Sequence, residues 1–408
     1  MGKIITFIHA ADLHLDSPMI GLKHLPEKLL ARMRESTFQA LRKITALAIQ
    51  NRVDFVIFAG DLYDGEDRSL RAQSIFRTEM LKLAAEGIPA FVVHGNHDHL
   101  NGSWVNLELP ENVHIFPTEV ETKVFKTGND ATVHLYGFSY PTRHVIERKI
   151  DGYTRMEGAD FHIGILHGHD EGSSEHGKYA PFSVKELLEK QFDYWALGHI
   201  HKRAVLTEDP PIIYPGNIQG RNRKETGEKG VYLVQLSTDG ATCHFHKTSV
   251  AVWEEAMLDA QGARSFHDIL TLCRTVIETY REHHFGTILT IILKNMRLDD
   301  DRDAASVYTE LLDILQEDEN DGENFVWTVD VRVEEALIGN REQLRGKADF
   351  YKELFLTIDQ YDHVEDTLAP LYHHQLARKH LASLPESEQR LLLEKAESLL
   401  LTLFAHQK

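Results

Sequence analysis

The chain has 408 residues, 42% hydrophobic and 26% charged, with only two cysteines; this is globular composition with length for two or three domains, and it excludes disordered, fibrous and disulfide-framework classes. A net charge of −19 argues against a protein that coats nucleic acid with positive surface. No apolar run approaches the ~20 residues of a membrane helix, and the start MGKIITFIHA has no long apolar core or small-residue cleavage site, so a cytoplasmic protein away from membranes is expected.

In chain order, Ile4-Ile5-Thr6-Phe7-Ile8 is short, apolar and β-branched, which reads as a buried strand. After Pro26, Leu29, Leu30, Met33, Phe38, Leu41, Ile44, Leu47 and Ala48 keep a helical period. Val53 to Phe58 reads as strand, residues 69–86 as helix and Ile88 to Val93 as strand. Strands alternating with helices of this length imply βαβ units and a largely parallel sheet. From Val113 the texture changes to short strands with turn signals, at 131–138, 161–166, 193–197, 211–214, 231–236 and 241–246. A mixed sheet packed on the first accounts for them, giving an α/β sandwich that ends near residue 250.

The remainder reads as a smaller α+β unit followed by helices. Residues 265–283 look helical, 287–294 strand, 303–316 helix and 326–333 an alternating strand; from about 341 the pattern is helical to the end. Ser383-Leu384-Pro385-Glu386 has the form of a capping box with Pro in the first turn. Asp299-Asp300-Asp301 and the run Glu317 to Asp321 read as solvated loops. The chain therefore divides into three regions: 1–250, 251–340 as an α+β cap, and 341–408 as helices. Charge divides at the same place, since residues 1–250 carry 28 Lys and Arg against 32 Asp and Glu, and 251–408 carry 16 against 31.

The residues just after each apolar run carry the chemistry. Ile4–Ile8 leads into His9-Ala10-Ala11-Asp12-Leu13-His14, and Val53–Phe58 into Ala59-Gly60-Asp61-Leu62-Tyr63-Asp64. Ile88–Val93 leads into His94-Gly95-Asn96-His97-Asp98, Phe161–Leu166 into His167-Gly168-His169, and Phe192–Leu197 into Gly198-His199-Ile200-His201. In open α/β sheets, ligands bind beyond the carboxyl ends of strands. A lone strand-end His is more often a satisfied structural residue, but five such endings in order leave many buried polar groups, each costly unless satisfied. Imidazole and carboxylate without thiolate suit manganese, iron or zinc better than calcium.

Asp12-x-His14, Gly60-Asp61-x-x-Asp64, Gly95-Asn96-His97-Asp98, His167 and Gly198-His199-x-His201 match the calcineurin-like metallophosphoesterases in order and spacing. The wider stretches AADLHLDSP, FAGDLYD, VHGNHD and ALGHIHKR resemble the SbcD-type DNA repair exonucleases, nearest their YhaO branch. The resemblance covers roughly residues 1–250. It implies a four-layer αββα sandwich with a smaller C-terminal α+β and helical cap, and two divalent metal ions: manganese, with Fe2+, Mg2+ or Zn2+ as alternatives. Asp12, His14, Asp61 and His201 would hold the first ion, and Asp61 would bridge to a second held by Asn96, His167 and His199. His97 would be general acid or transition-state stabiliser, with Asp98 orienting it. Asp64 would contact phosphate or support the site, while His9, His94, His99 and His169 match no ligand position and read as supporting.

The superfamily includes protein phosphatases, nucleotide esterases and nucleases, so the fold does not set the substrate. Protein Ser/Thr phosphatases carry Arg after both motifs where Gly65 and Asp98 stand here, which counts against that class. Arg221, Arg223 and Lys224, with nearby Lys202-Arg203, form a basic stripe after the last ligand pair, where a DNA backbone would pass; Glu225 and Glu228 dilute it. Asn217 stands where the family's Pro-Gly-Ser turn has Ser. The expected function is therefore a DNA exonuclease or endonuclease of a repair complex, acting on single- or double-stranded DNA with an SbcC-like coiled-coil ATPase. The alternatives are a small-molecule or nucleotide phosphodiesterase, or a metal-bound scaffold regulating such an ATPase. The apolar final helix, from Leu391 to Phe404, fits burial in the chain or a homodimer better than docking a partner helix.

Overall fold

The computed structural model describes residues 2–22, 25–65, 68–102, 105, 107–172, 179–283, 285–296, 304–334, 349–361 and 363–373, with 389, 392, 393, 396, 397 and 400 beyond them. The Ser383–Glu386 capping box, Asp299–Asp301 and most of the apolar run from Leu391 lie outside the described residues. In chain order the elements begin with β1 (Ile4–Ala10), α1 (Glu27–Asn51), β2 (Phe55–Ala59), α2 (Leu70–Ala85), β3 (Ala90–Val93), β4 (Val113–Ile115), β5 (Glu121–Lys126) and β6 (Thr132–Gly137). They continue with β7 (Phe161–His167), α3 (Val184–Glu189), β8 (Tyr194–Gly198), β9 (Ala204–Glu208), β10 (Pro211–Tyr214), β11 (Gly230–Ser237), β12 (Gly240–Lys247) and β13 (Ala251–Asp259). The last are α4 (Phe266–Arg281), β14 (Gly286–Lys294), α5 (Ala304–Glu317), β15 (Val326–Glu334), α6 (Asp349–Asp359) and α7 (Val364–His373).

Two six-stranded sheets form the body of the sandwich. The first has the order β12-β11-β1-β2-β3-β4, parallel from β1 to β4, with β11 and β12 added antiparallel. The second has the order β5-β6-β7-β8-β10-β9, parallel from β6 to β10 and antiparallel at both edges. In β2 every residue is buried, because each face is covered. Phe55, Ile57 and Ala59 point inward, where Phe7 and Phe91 join Leu135, Ile163 and Tyr194 of the second sheet in one core. Val56 and Phe58 point outward, against Phe38, Leu41 and Ile44 of α1 and Phe76 and Met80 of α2. Full burial of one such side chain contributes about 1.5–3 kcal/mol, so this unbroken apolar run commits β2 to the centre of the sandwich.

The outer face of the second sheet is covered differently. Tyr136, Leu166 and Trp195 pack against Leu187 of the six-residue α3 and against Phe138, Tyr153, Phe182 and Phe192 from connecting segments. The fourth layer is thus mostly loop. Ser183 and Glu186 cap α3 reciprocally, and α1 ends where Arg52 adopts a left-handed conformation with φ 48°. A separate three-stranded sheet has the order β13-β14-β15. Glu319, expected in a solvated loop, instead pairs with Arg281 at 2.7 Å.

The chain divides into two compact units: residues 1–256, 273–291 and 303–331, and residues 257–272, 292–302 and 332–408. The first holds both large sheets. In the second, Phe355 of α6 is buried with Tyr351, Leu354 and Ile358 around it. Among the described residues no helix is long and apolar enough to cross a membrane.

Candidate metal centre

Because β1, β2 and β3 run parallel, their carboxyl ends open on one edge, and β7 and β8 deliver theirs from the second sheet. The segment after β1 then lies along the segment after β2: the Asp12 N–H donates to Gly60 O at 3.1 Å and the His14 N–H to Asp61 O at 3.0 Å. Asp12, His14, Asp61 and His199 all have positive φ, at 51°, 41°, 50° and 102°. Non-glycine residues there cost backbone energy, and such strain clusters at functional sites.

Asp12, His14, Asp61 and His201 bring one donor atom each to within 4.8 Å of one another. His14 Nε2 and His201 Nε2 face each other at 3.1 Å. Each ring's other nitrogen meets a carboxylate: His14 Nδ1 donates to Asp64 Oδ1 at 3.1 Å, and His201 Nδ1 to Glu225 Oε1 at 2.8 Å. A carboxylate only accepts, so these two contacts favour the proton on Nδ1 of each ring, with the Nε2 lone pairs converging, while Arg221 Nη2 also stands 3.3 Å from His201 Nδ1. Burial, aided by Arg221, lowers the His14 pKa to about 4 and keeps that ring neutral. Asp12 is fully buried, and both its oxygens accept the His199 N–H, at 3.0 and 3.1 Å. Converging lone pairs and buried carboxylates are a donor set that a divalent cation would satisfy.

Asn96, His167 and His199 assemble beside it. Asn96 Oδ1 lies 3.1 Å from His167 Nε2 and 3.1 Å from His199 Nδ1. His167 Nδ1 donates to Ala59 O at 3.0 Å, so its Nε2 is turned toward Asn96 and toward Asp61 Oδ2 at 3.4 Å. Burial pushes the His167 imidazolium down, but Asp61 and then Asp12 outweigh it and raise its pKa to about 9. These acceptors demand a cation, and a metal ion could replace the proton. Asp61 is held well below the usual carboxylate range: burial pushes it up, and His167, His14 and His97 overcome that. Burial lowers His199 to about 3. Gly95 is required here, since a Cβ would stand 2.3 Å from Asp61 Oδ1 and 2.6 Å from His167 Nε2.

His97 contributes to neither group. Its N–H donates to Asp61 Oδ1 at 2.9 Å, while its ring, 30% exposed, lies at the rim with Nδ1 3.5 Å from Asp64 Oδ1. The expectation that Asp98 orients His97 is corrected by this geometry. Asp98 is fully buried and pairs with His94 Nδ1 at 2.8 Å, while accepting the Leu62 and Gly95 N–H groups at 2.8 and 2.7 Å. It locks the turn, and Asp64 is the carboxylate that faces His97. Among the other histidines, buried His9 bridges the sheets, 3.0 Å from Tyr194 Oη and 3.1 Å from Leu197 O.

The basic stripe divides in two. Arg223 and Lys224 are exposed, but Arg221 is drawn into the wall, where its guanidinium meets Asp64 Oδ1 at 3.2 Å and Glu225 Oε1 at 3.1 Å. Arg203 lies over the Phe245 ring at 3.9 Å. Glu225, which the sequence shows only as diluting the stripe, is the acceptor for His201; its spacing of 24 residues from that ring gives no local signal. A groove of about 1100 Å³ starts at His199 and His201 and is lined by Lys202, Lys224, Lys229 and Tyr214.

The calcineurin-like phosphoesterase family model matches residues 5–203. The chain is 39% identical over 400 residues to the uncharacterized metallophosphoesterase YhaO of Bacillus subtilis, covering 97% of each chain. It is 27% identical over 242 residues to the DNA double-strand break repair protein Mre11 of Thermoplasma acidophilum, spanning 55% of this chain and 62% of that one. With Mre11 of Saccharolobus solfataricus it shares 24% identity over 330 residues, 76% and 79% of the two chains. With similarity running nearly end to end and the matched motifs meeting where strand ends of the two sheets converge, the chain belongs to the calcineurin-like metallophosphoesterases and is a metal-dependent hydrolase of phosphate esters.

Proposed function

We propose that the protein is a two-metal phosphodiesterase that cleaves DNA. One ion is held by Asp12, His14, Asp61 and His201, the other by Asp61, Asn96, His167 and His199. The observation that carries this reading is Asp61: its buried Oδ2 lies 3.8 Å from His14 Nε2 and 3.4 Å from His167 Nε2, one anionic oxygen between two imidazole groups. When bound, a pair of divalent ions supplies positive charge to the attacking and leaving oxygens of an in-line displacement.

The chain's own residues do the rest. The Asp61 carboxylate fixes the main chain of His97, so that its ring stands at the open rim. Asp64 faces His97 Nδ1, which directs Nε2 toward substrate as the atom that gives a proton to the leaving oxygen. Manganese suits the mixed oxygen and nitrogen donors.

DNA as substrate is supported by the Mre11 relatives, named for double-strand break repair, and by the groove. Among the described residues that line it, exposed Lys202 and Lys224 stand with Asp170 and the Arg221-paired Glu225, while buried Lys229 donates to His201 O at 3.2 Å, a local gathering of cations in a chain of net −19. An SbcC-like coiled-coil ATPase as partner supplies the further grip on DNA that an acidic chain lacks. The test is purified protein with Mn2+ offered single-stranded DNA, double-stranded DNA and bis-p-nitrophenyl phosphate. Chelator-sensitive cleavage of DNA is expected; turnover of the small diester alone would replace the DNA reading with a small-molecule esterase.

A further inference from the structure

We infer that Asp64, Arg221 and Glu225 form a clasp that positions His14 and His201 for a divalent cation. Asp64 and Glu225 are then positioning residues, each acting through one imidazole, and Arg221 holds the two together. This rests on reading Asp12, His14, Asp61 and His201 as that cation's ligands.

An imidazole offers a lone pair at Nε2 only if Nδ1 keeps its proton and the ring cannot turn. Asp64 Oδ1 secures His14 Nδ1 at 3.1 Å, and Glu225 Oε1 secures His201 Nδ1 at 2.8 Å. Two mostly buried carboxylates on neighbouring rings repel each other, and Arg221 lies between them. Nη1 donates to Asp64 Oδ1 at 3.2 Å and Nη2 to Glu225 Oε1 at 3.1 Å, a span that suits the rigid guanidinium fork. The remaining oxygens are also engaged. Asp64 Oδ2 accepts the Ser17 hydroxyl at 2.7 Å, and Glu225 Oε2 accepts the Asn217 amide at 2.9 Å and the Arg221 N–H at 2.7 Å.

With all four carboxylate oxygens occupied, neither backing group can rotate away from its histidine. A carboxylate hydrogen-bonded to Nδ1 strengthens the opposite Nε2 as a donor. Arg221 is only 12% exposed on its side chain, so its charge is spent on the wall and not on a passing phosphate. The other pocket is backed differently, with His167 resting on the main-chain oxygen of Ala59.

The experiment uses the full chain stripped of metal by chelator and titrated with Mn2+, with free ion read from its electron paramagnetic resonance signal. Thermal unfolding of each metal-free variant is recorded alongside. The parent should bind two Mn2+. In Glu225→Gln, which keeps the shape but removes the charge, one of them should weaken by about 10–100-fold, the usual effect of losing such a backing group, while the other and the metal-free melting temperature stay as in the parent. Arg221→Lys should weaken the same ion to a smaller degree, because a point charge cannot span both carboxylates. Both ions binding as in the parent in these variants, or both weakening equally, would overturn the clasp. A parent that binds no Mn2+ would instead remove the ligand reading beneath it. Should Glu225→Gln not fold, Asp64→Asn puts the question to the other arm, with the same loss of a single ion expected and unchanged binding counting against the clasp.

Discussion

The two pockets that meet at Asp61 are built from different materials. Around His14 and His201 the supporting groups are side chains, Asp64 and Glu225, brought in from loops. Around His167 the support is the sheet itself: Nδ1 rests on Ala59 O at the end of β2, and Gly60 and Gly198 press so close that a Cβ would lie 2.0 and 2.9 Å from that nitrogen. The first pocket should therefore be weakened by altering a charge, and the second by altering the backbone.

The shared residue gives the largest expected effect. Asp61→Asn removes the anionic oxygen that the proposed reading assigns to both pockets. Losing one preorganised electrostatic donor costs about 10²–10³-fold in turnover; with two pockets affected, cleavage of bis-p-nitrophenyl phosphate should fall by about 10⁴-fold or more. Mn2+ titration should show both ions weakened. Loss of only one would mean that Asp61 belongs to a single pocket and does not bridge.

His97→Ala removes none of the seven proposed ligands, though its ring packs edge-on against His14 at 4.9 Å, and should spare both ions. Its turnover should drop by about 10²–10⁴-fold, the range for a general acid. Metal content unchanged with activity intact would strip His97 of that role, and loss of metal would make it a ligand. Gly95→Ala is expected to act next in size, through the backbone. Its new Cβ would stand 2.3 Å from Asp61 Oδ1 and 2.6 Å from His167 Nε2, so the Asn96–His167–His199 ion, which has both neighbours as ligands, should weaken the more, by about 10–100-fold, the scale of a disturbed ligand environment. A stronger effect on the His14–His201 ion, read in the same titration, would reverse the assignment of rigid and adjustable pockets.

These contrasts explain what the sequence disclosed. The strand-end residues are legible because a buried parallel strand reads as an unbroken apolar run, and the first polar residues after it fall at the carboxyl edge. Asp12, Asp61, Asn96, His167 and His199 are all of this kind. The adjustable parts are not legible. Arg221 meets Asp64 across 157 residues, and Glu225 meets His201 across 24; neither pairing has a period or a motif. Asp98 misleads for a related reason, since adjacency to His97 in the chain implies contact, but the turn sends its carboxylate back to His94. The loop-built fourth layer is hidden too, because Phe138, Tyr153 and Phe182 hold their positions through packing without a helical or strand period.

The smallest expected effect lies outside both pockets and asks whether the centre and the groove are separable. Arg221 belongs to the clasp, so a test of DNA contact must leave it in place; exposed Arg223 and Lys224, with Lys202 from the groove wall, are the groups free to meet phosphate. Changing these three to Ala should leave both Mn2+ affinities and turnover of bis-p-nitrophenyl phosphate as in the parent. DNA cleavage should weaken, and the log–log dependence of DNA binding on salt should become shallower by about 0.7–0.9 for each phosphate no longer neutralised. At most about three phosphates are involved, so the slope should change by no more than about 2–3 in total. Equal loss on DNA and on the small diester would mean that the loop supports the centre, extending the adjustable pocket outward from Glu225. An unchanged salt slope would place DNA recognition on another surface, a partner ATPase foremost, and leave this groove without a nucleic-acid role.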